Sequence, residues 1–466
     1  MRRHALNPSP RRRALTRRVA PIALCLALTA MLHAPAEAAS LYEALATAYA
    51  TNPTLEAERA NLRATDEGVP QVLSEWRPSV IGRAQAGHEW DKQTSPLQAE
   101  TETSPRTYDV TVRQPIFDGF GTVSGTSQAE NQVEAGRARL ISTEQVVLLN
   151  AVTAYMAVVR DAAVLDLNRS NERVLQAQLE ATEARFEVGE LTRTDVAQAQ
   201  SRLQGAIAQR IQAEGQLTSS RAIYRQVIGE DPVEVAMPAD TPPLPSNRDE
   251  AVALSQAAPN VVAAQFDERA AKDDIDVQFS DMLPSVAIEG SYQHRDDVGL
   301  RDSESNVGQV LGTVTIPLYQ AGAPDSRVRQ SKQRFMQTRR LTDEALRAAE
   351  QEAITSWQGL QTAIAQSQSF EEQVRAADLA LEGVRQEQEV GARTVLDVLD
   401  AEQESLNAKV SLVSSQTDRV VAQYRLLAAG GALTAANLAL DVEFYDPRRH
   451  YDQVRDKFIG TGPSVD

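Results

Sequence analysis

One cysteine in 466 residues, Cys25, leaves nothing for an intrachain disulfide, and five scattered histidines show no ligand spacing. Neither a metal nor any other cofactor is therefore expected. Ser, Asp and His nowhere assemble into a nucleophilic constellation, and Glu172, Glu180 and Glu387 fall among helical surface charges, which argues against an enzyme. Positive charge is also short. With 47 Lys and Arg against 64 Asp and Glu the net charge is −17, so nucleic acid is not a partner. Beyond the N-terminal segment no window approaches 18 consecutive apolar residues. That excludes transmembrane helices but leaves a β-barrel open, because its strands give a much weaker signal.

What is present begins with a basic stretch (Arg2, Arg3, Arg11 to Arg13, Arg17, Arg18), an apolar run PIALCLALTAML, and small residues at Ala36 and Ala38. This pattern predicts a secretory signal peptide over 1–38 with cleavage after Ala38. Those 38 residues carry +6, which leaves the remainder near −23.

The remainder repeats itself. LSEWRPSV (73–80) returns as FSDMLPSV (279–286), RQPIFDGFG (113–121) as TIPLYQAGA (315–323), and VGELTRTDV (188–196) as VGARTVLDV (390–398). A period of about 200 residues is too long for a solenoid and reads as a duplicated domain. The boundaries expected are 39–236 for the first copy, a proline-rich linker at 237–247, 248–440 for the second copy, and a C-terminal tail at 441–466.

Each copy carries two segments of period two. Val80, Gly82, Ala84 and Ala86 oppose Arg83 and Gln85; Tyr108, Val110 and Val112 oppose Asp109, Thr111 and Arg113; Val286, Ile288, Gly290 and Tyr292 oppose Glu289, Ser291 and Gln293. Strands are predicted at about 79–90, 106–117, 285–295 and 307–318, with long polar loops at 91–105 and 296–305. Helical tracts follow, each far longer than usual and bent back at a VGxxT turn, with tips near 188–195 and 390–397. Their spacing is heptad-like: Leu175, Leu179, Thr182, Phe186, then Val196, Ala199, Leu203, Ala206, Arg210, Ala213, Leu217. Gly119-Phe120-Gly121 with Gly125 superficially suggests a dinucleotide loop, but the third glycine is one place late and no βαβ alternation surrounds it. A strand-to-helix turn is the better reading.

Four strands cannot close a barrel, since about eight are needed to enclose a filled interior, and a helical hairpin cannot hide its second face alone. Several copies around one axis would cure both shortages.

The duplicated pattern, the strand-ending QPIFDGFG and IPLYQAG, and the paired tips VGELTRTDV and VGARTVLDVLDAEQ resemble the TolC family of outer-membrane channel proteins over residues 40–440. The resemblance implies a mixed α and β fold in which long antiparallel coiled-coil hairpins form an α-barrel in the periplasm. Four transmembrane strands per protomer would join a shared twelve-stranded barrel in a homotrimer. It further implies contact with outer-membrane lipid and a passive exit duct of a tripartite export system, serving type I protein secretion or small-molecule efflux. Its partners would be a periplasmic adaptor protein and an inner-membrane transporter of ABC or RND type. The tail FYDPRRHYDQVRDKFIG (444–460) looks like that of members serving type I secretion. The alternative is a periplasmic coiled-coil adaptor or scaffold without a pore.

Two aspartates, Asp397 and Asp400, lie three apart in VLDVLDA. Thr394 with Asp397 reads as a capping box, as does Thr192 with Asp195. Asp400 has no such role, and Gln198 replaces it in the first copy. In a threefold tube, Asp397 and Asp400 would form two acidic rings at the channel constriction. The resemblance also implies a tip latch in which Arg393 reaches Thr194 and Asp195 of a neighbouring hairpin, although Gln388 stands where better-known members carry an aromatic.

Overall fold

The computed structural model describes residues 40–93, 99–239, 242–299 and 302–462. The expected signal segment and Ala38 lie outside these. The chain enters through α1 (Leu41–Thr51), started by a capping box between Ser40 and Glu43, and α2 (Pro53–Asp66), started by the Asn52 side chain and a proline in the first turn. The short α3 (Gly68–Leu73) leads into the sheet.

Four strands form one antiparallel sheet: β1 (Ser79–Ala86), β4 (Arg106–Phe117), β5 (Ser285–Asp296) and β6 (Glu304–Thr315), in that spatial order. Between β1 and β4 lies a separate hairpin of β2 (Glu89–Gln93) and β3 (Ala99–Thr103). This corrects two expectations. The strand read as 79–90 ends at Ala86, and the stretch read as a polar loop at 91–105 contributes most of a hairpin. Gly87 donates to the carbonyl of Pro105 at 3.0 Å and separates the two ladders. The strand read as 307–318 begins at Glu304 and stops before Pro317, leaving Leu318 and Tyr319 exposed.

The register decides what the sheet is for. Val80, Val112, Gly290 and Val310 stand in one row across all four strands, and Gly82, Val110, Tyr292 and Gly308 stand in the next row of the same face. The opposite face carries Ile81, Thr111, Ser291 and Gln309 in one row and Arg83, Asp109, Gln293 and Val307 in another. Because side chains alternate, the sheet has one apolar face and one largely polar face. The apolar face is uncovered within the chain, with Val80, Val310 and Val314 all exposed.

Each half of the sheet delivers the chain into a very long helix. β4 turns through Asp118 to Phe120 into α4 (Gly121–Glu187), and β6 leads into α8 (Ala323–Glu389); both helices have 67 residues, roughly 100 Å at 1.5 Å per residue. At the first turn, Asp118 accepts from the Thr122 backbone N–H at 2.6 Å and from its hydroxyl. Gly119 has φ +68°, and a Cβ there would stand 2.7 Å from the Ser280 carbonyl oxygen. The glycine pair thus serves a close backbone approach to α7 (Pro259–Ser280), as the turn reading required.

The helices return as α5 (Arg193–Ile228) and α9 (Val395–Ala429), with α6 (Arg248–Ser255) ahead of α7. α7 packs against both α4 and α8 and joins the two halves. Among the heptad positions, Leu175, Leu179, Thr182, Ala199, Leu203, Ala206, Ala213 and Leu217 are buried, but Phe186 is exposed. Arg210 is half-exposed and bridges Glu172 at 2.5 Å and Glu214 at 2.9 Å.

The main core gathers Leu45 of α1, Leu148, Val152 and Tyr155 of α4, Tyr224 and Ile228 of α5, Tyr424 and Leu427 of α9, and Leu433 and Leu440 beyond it. The central part of α4 is apolar enough to cross a membrane by length and composition, yet more than half of that stretch is buried within the chain, where it supplies Leu148, Val152 and Tyr155 to this core. It is a core helix. The tail holds α10 (Arg449–Val454), fixed by His450 to Asp66 at 3.1 Å and by Arg77, which donates to the Lys457 carbonyl at 2.7 Å.

Candidate functional site

The tips of the two hairpins are built alike. Gly189 and Gly391, with φ +82° and +80°, reverse the chain, and Glu190 and Ala392 donate back to the carbonyls of Arg185 and Glu387 at 3.0 and 2.8 Å. A capping box then restarts each helix. Asp195 accepts from the Thr192 N–H at 2.8 Å, and Asp397 accepts from the Thr394 N–H at 2.9 Å and its hydroxyl at 2.7 Å. These backbone hydrogen bonds favour the charged form and hold both carboxyls below their ordinary range. Asp397 is therefore a helix cap that stays ionised.

Asp400 is exposed and has a different partner. Its Oδ1 accepts from Arg202 of α5 at 2.5 Å, an ion pair between residues 198 apart in the chain. Beneath it, Val395 and Leu399 of α9 bury against Leu175 and Leu179 of α4 and Ala199 and Leu203 of α5. One tip thus rests on the other through a small apolar contact with a charged rim.

Arg393 does not cross between the hairpins of one chain. Its guanidinium binds Glu387 of its own turn at 2.9 Å, which raises its pKa, and among the described residues it makes no hydrogen bond to Thr194 or Asp195. Farther from the tip, Lys409 and Ser405 of α9 hold Asp378 of α8 at 2.8 and 2.6 Å, and Arg385 pairs with Glu402. These groups border a cavity of about 290 Å³ that also reaches Asn171 of α4.

Sequence reasoning placed Asp397 in its cap and missed Arg202, Glu387 and the Asp378–Lys409 pair. Only Glu387, six residues from Arg393, could have been found from spacing. Arg202 and Asp400 meet solely because two distant hairpins pack.

The chain resembles known proteins over most of its length. A family model described as outer membrane efflux protein matches residues 44–230 and 252–432. The outer membrane efflux protein BepC of Brucella suis is 33% identical over 440 residues, covering 94% of this chain and 95% of that protein. The alkaline protease secretion protein AprF of Pseudomonas aeruginosa is 23% identical, covering 78% of each. Among solved structures, the Campylobacter jejuni CmeC outer membrane channel superposes with a TM-score of 0.77 at 14% identity, covering 89% of both chains. The outer membrane protein VceC of Vibrio cholerae gives 0.73 at 19% identity, covering 84% of this chain and 96% of that one. The latter two show likeness of fold, whereas the family match spans both copies and BepC exceeds 30% identity over nearly the whole chain. With its sheet rows, duplicated hairpins and matching tips, the chain belongs to the outer membrane efflux protein family.

Proposed function

We propose that this chain is one protomer of a trimeric outer-membrane channel continued by a helical tunnel in the periplasm, the passive exit duct of a tripartite export system. An inner-membrane transporter and its periplasmic adaptor would open it at the hairpin tips. The observation that carries this reading is the four-stranded sheet, apolar on one face, largely polar on the other, with β1 and β6 at its edges. Three copies would supply twelve strands, pair every edge, and turn the apolar rows toward lipid. A scaffold without a pore has no use for such a face.

BepC is named for efflux and AprF for protease secretion, and a duct of this build serves either cargo, since selection belongs to the transporter that feeds it. Cell fractionation followed by electrophoresis without boiling is the first test. A detergent-extracted trimer from the outer membrane supports the duct, and a salt-soluble periplasmic species overturns it.

In the same reading, Asp397 and Asp400 ring the constriction at the tip end, and Arg393 reaches Thr194 and Asp195 of a neighbouring copy after leaving Glu387. Asp397→Ala with Asp400→Ala should abolish cation selectivity in single-channel recordings; unchanged selectivity removes the constriction from those residues. Charge reversal, Arg393→Glu, should raise the open fraction, and an unaltered fraction removes the latch.

A further inference from the structure

The copies exchange sign at the place where they touch. Gln198 and Arg202 stand on α5 where α9 has Asp400 and Glu404, so each hairpin offers the charge that the other lacks. Asp400 and Arg202 meet at 2.5 Å, directly beside Leu399 in the apolar contact that fixes their approach. Asp397, one turn away, keeps its partner Thr394 on its own helix. The two carboxylates are thus held in different ways. Asp397 depends on its own hairpin, and Asp400 depends on the two hairpins lying together.

We propose that Arg202 is the counter-charge of Asp400: while the hairpins of one protomer are together, the pair ties α9 to α5 and masks one of the two acidic rings, and parting the hairpins unmasks it. The shut tip then presents chiefly Asp397, and the parted tip presents both carboxylates. Opening would therefore raise the affinity of the mouth for cations as it widens. Arg202 acts through Asp400 and is a positioning residue. This inference rests on the duct reading and assigns its regulation to a residue outside the expected latch.

Planar-bilayer recordings of the full-length protein, with Mg²⁺ added on the tip side, test it. Arg202→Gln should raise the conductance of the resting channel and tighten Mg²⁺ block roughly threefold or more, because a nearby unit charge no longer offsets Asp400. Asp400→Asn should raise the resting conductance without tightening block. The exchanged pair, Arg202→Asp with Asp400→Arg, should return the resting conductance toward the parent value, which a loss of packing would not do. The inference is overturned if Arg202→Gln leaves conductance and block at parent values. It is equally overturned if Asp400→Asn changes block by the same factor with and without Arg202, or if both single variants open the channel and the exchange does not close it. Absence of any pore in the parent protein would instead strike at the duct reading.

Discussion

α4 and α8 are equal in length, leave their strands through left-handed residues, and end at matching glycine turns, yet they carry different loads. α4 buries Leu148, Val152, Tyr155 and Met156 in the main core, whereas α8 buries mostly small residues, Ala349, Ala353, Ser356 and Ala363. Burying a Leu or Met side chain contributes about 1.5–3 kcal/mol, and an alanine much less. The first shaft is therefore the more heavily anchored of the two, whereas the second hairpin enters the main core through Tyr424 and Leu427 of α9 and is closed on itself by Lys409 and Asp378. One backbone plan, filled with different side chains, yields a shaft buried through large side chains and one buried through small ones.

The sharpest way to break this comparison is at α4. Leu148→Ala should cost about 2–5 kcal/mol through the cavity it leaves, read as a lowered thermal midpoint of the detergent-solubilised protein. A cost below about 1 kcal/mol would mean that α4 does not carry the core.

The tips should behave as equals despite the unequal shafts. Thr192→Ala and Thr394→Ala each remove a cap worth about 1 kcal/mol, visible as faster amide exchange in the first turn of α5 or of α9. Loss at one tip alone would end the claim that the two turns are built alike.

A smaller change sharpens the contrast from the stabilising side. Gly205 in α5 and Gly383 in α8 sit in helix interiors with open space where a Cβ would go. Either Gly→Ala change should gain about 0.5–1 kcal/mol in chemical denaturation. A loss at Gly383 alone would reveal a close neighbour along the outer side of α8.

The pH effect is the smallest near neutrality. Asp195 and Asp397 have folded-state pKa values below the ordinary 3.8 because backbone N–H groups bind their charged forms. Their contribution is thus fully present above the unfolded value and is lost as pH falls through the depressed folded values. Tip exchange rates corrected for intrinsic pH dependence should be flat from neutrality to mildly acid solution and rise together at both tips below it. A rise near neutral pH would point to some other group.

Much of this molecule was legible locally. The caps at Thr192 and Thr394, the glycine turns, and the strands around Val110 and Ile288 follow from neighbours within a few residues, where period and capping chemistry suffice. The β2–β3 hairpin was hidden because Asp91, Lys92 and Gln93 on one strand and Glu100, Thr101, Glu102 and Thr103 on the other are all polar, so that no apolar alternation marks them and they read as an exposed loop. Phe186 kept the heptad period but lies where the tip turn carries it clear of a partner. Within the chain Arg393 pairs with Glu387 on its own turn, a partner that the resemblance did not name.

By itself the sequence determined the duplication, the long helices and the alternation that gives the sheet its two faces, since these are set by spacing along one segment. Only the tertiary structure decided that β1, β4, β5 and β6 lie in that order, that α4 is the buried shaft, and that Asp400 answers Arg202. Such choices depend on which surfaces meet after residues about 200 positions apart are packed side by side, and no local period encodes a contact of that range.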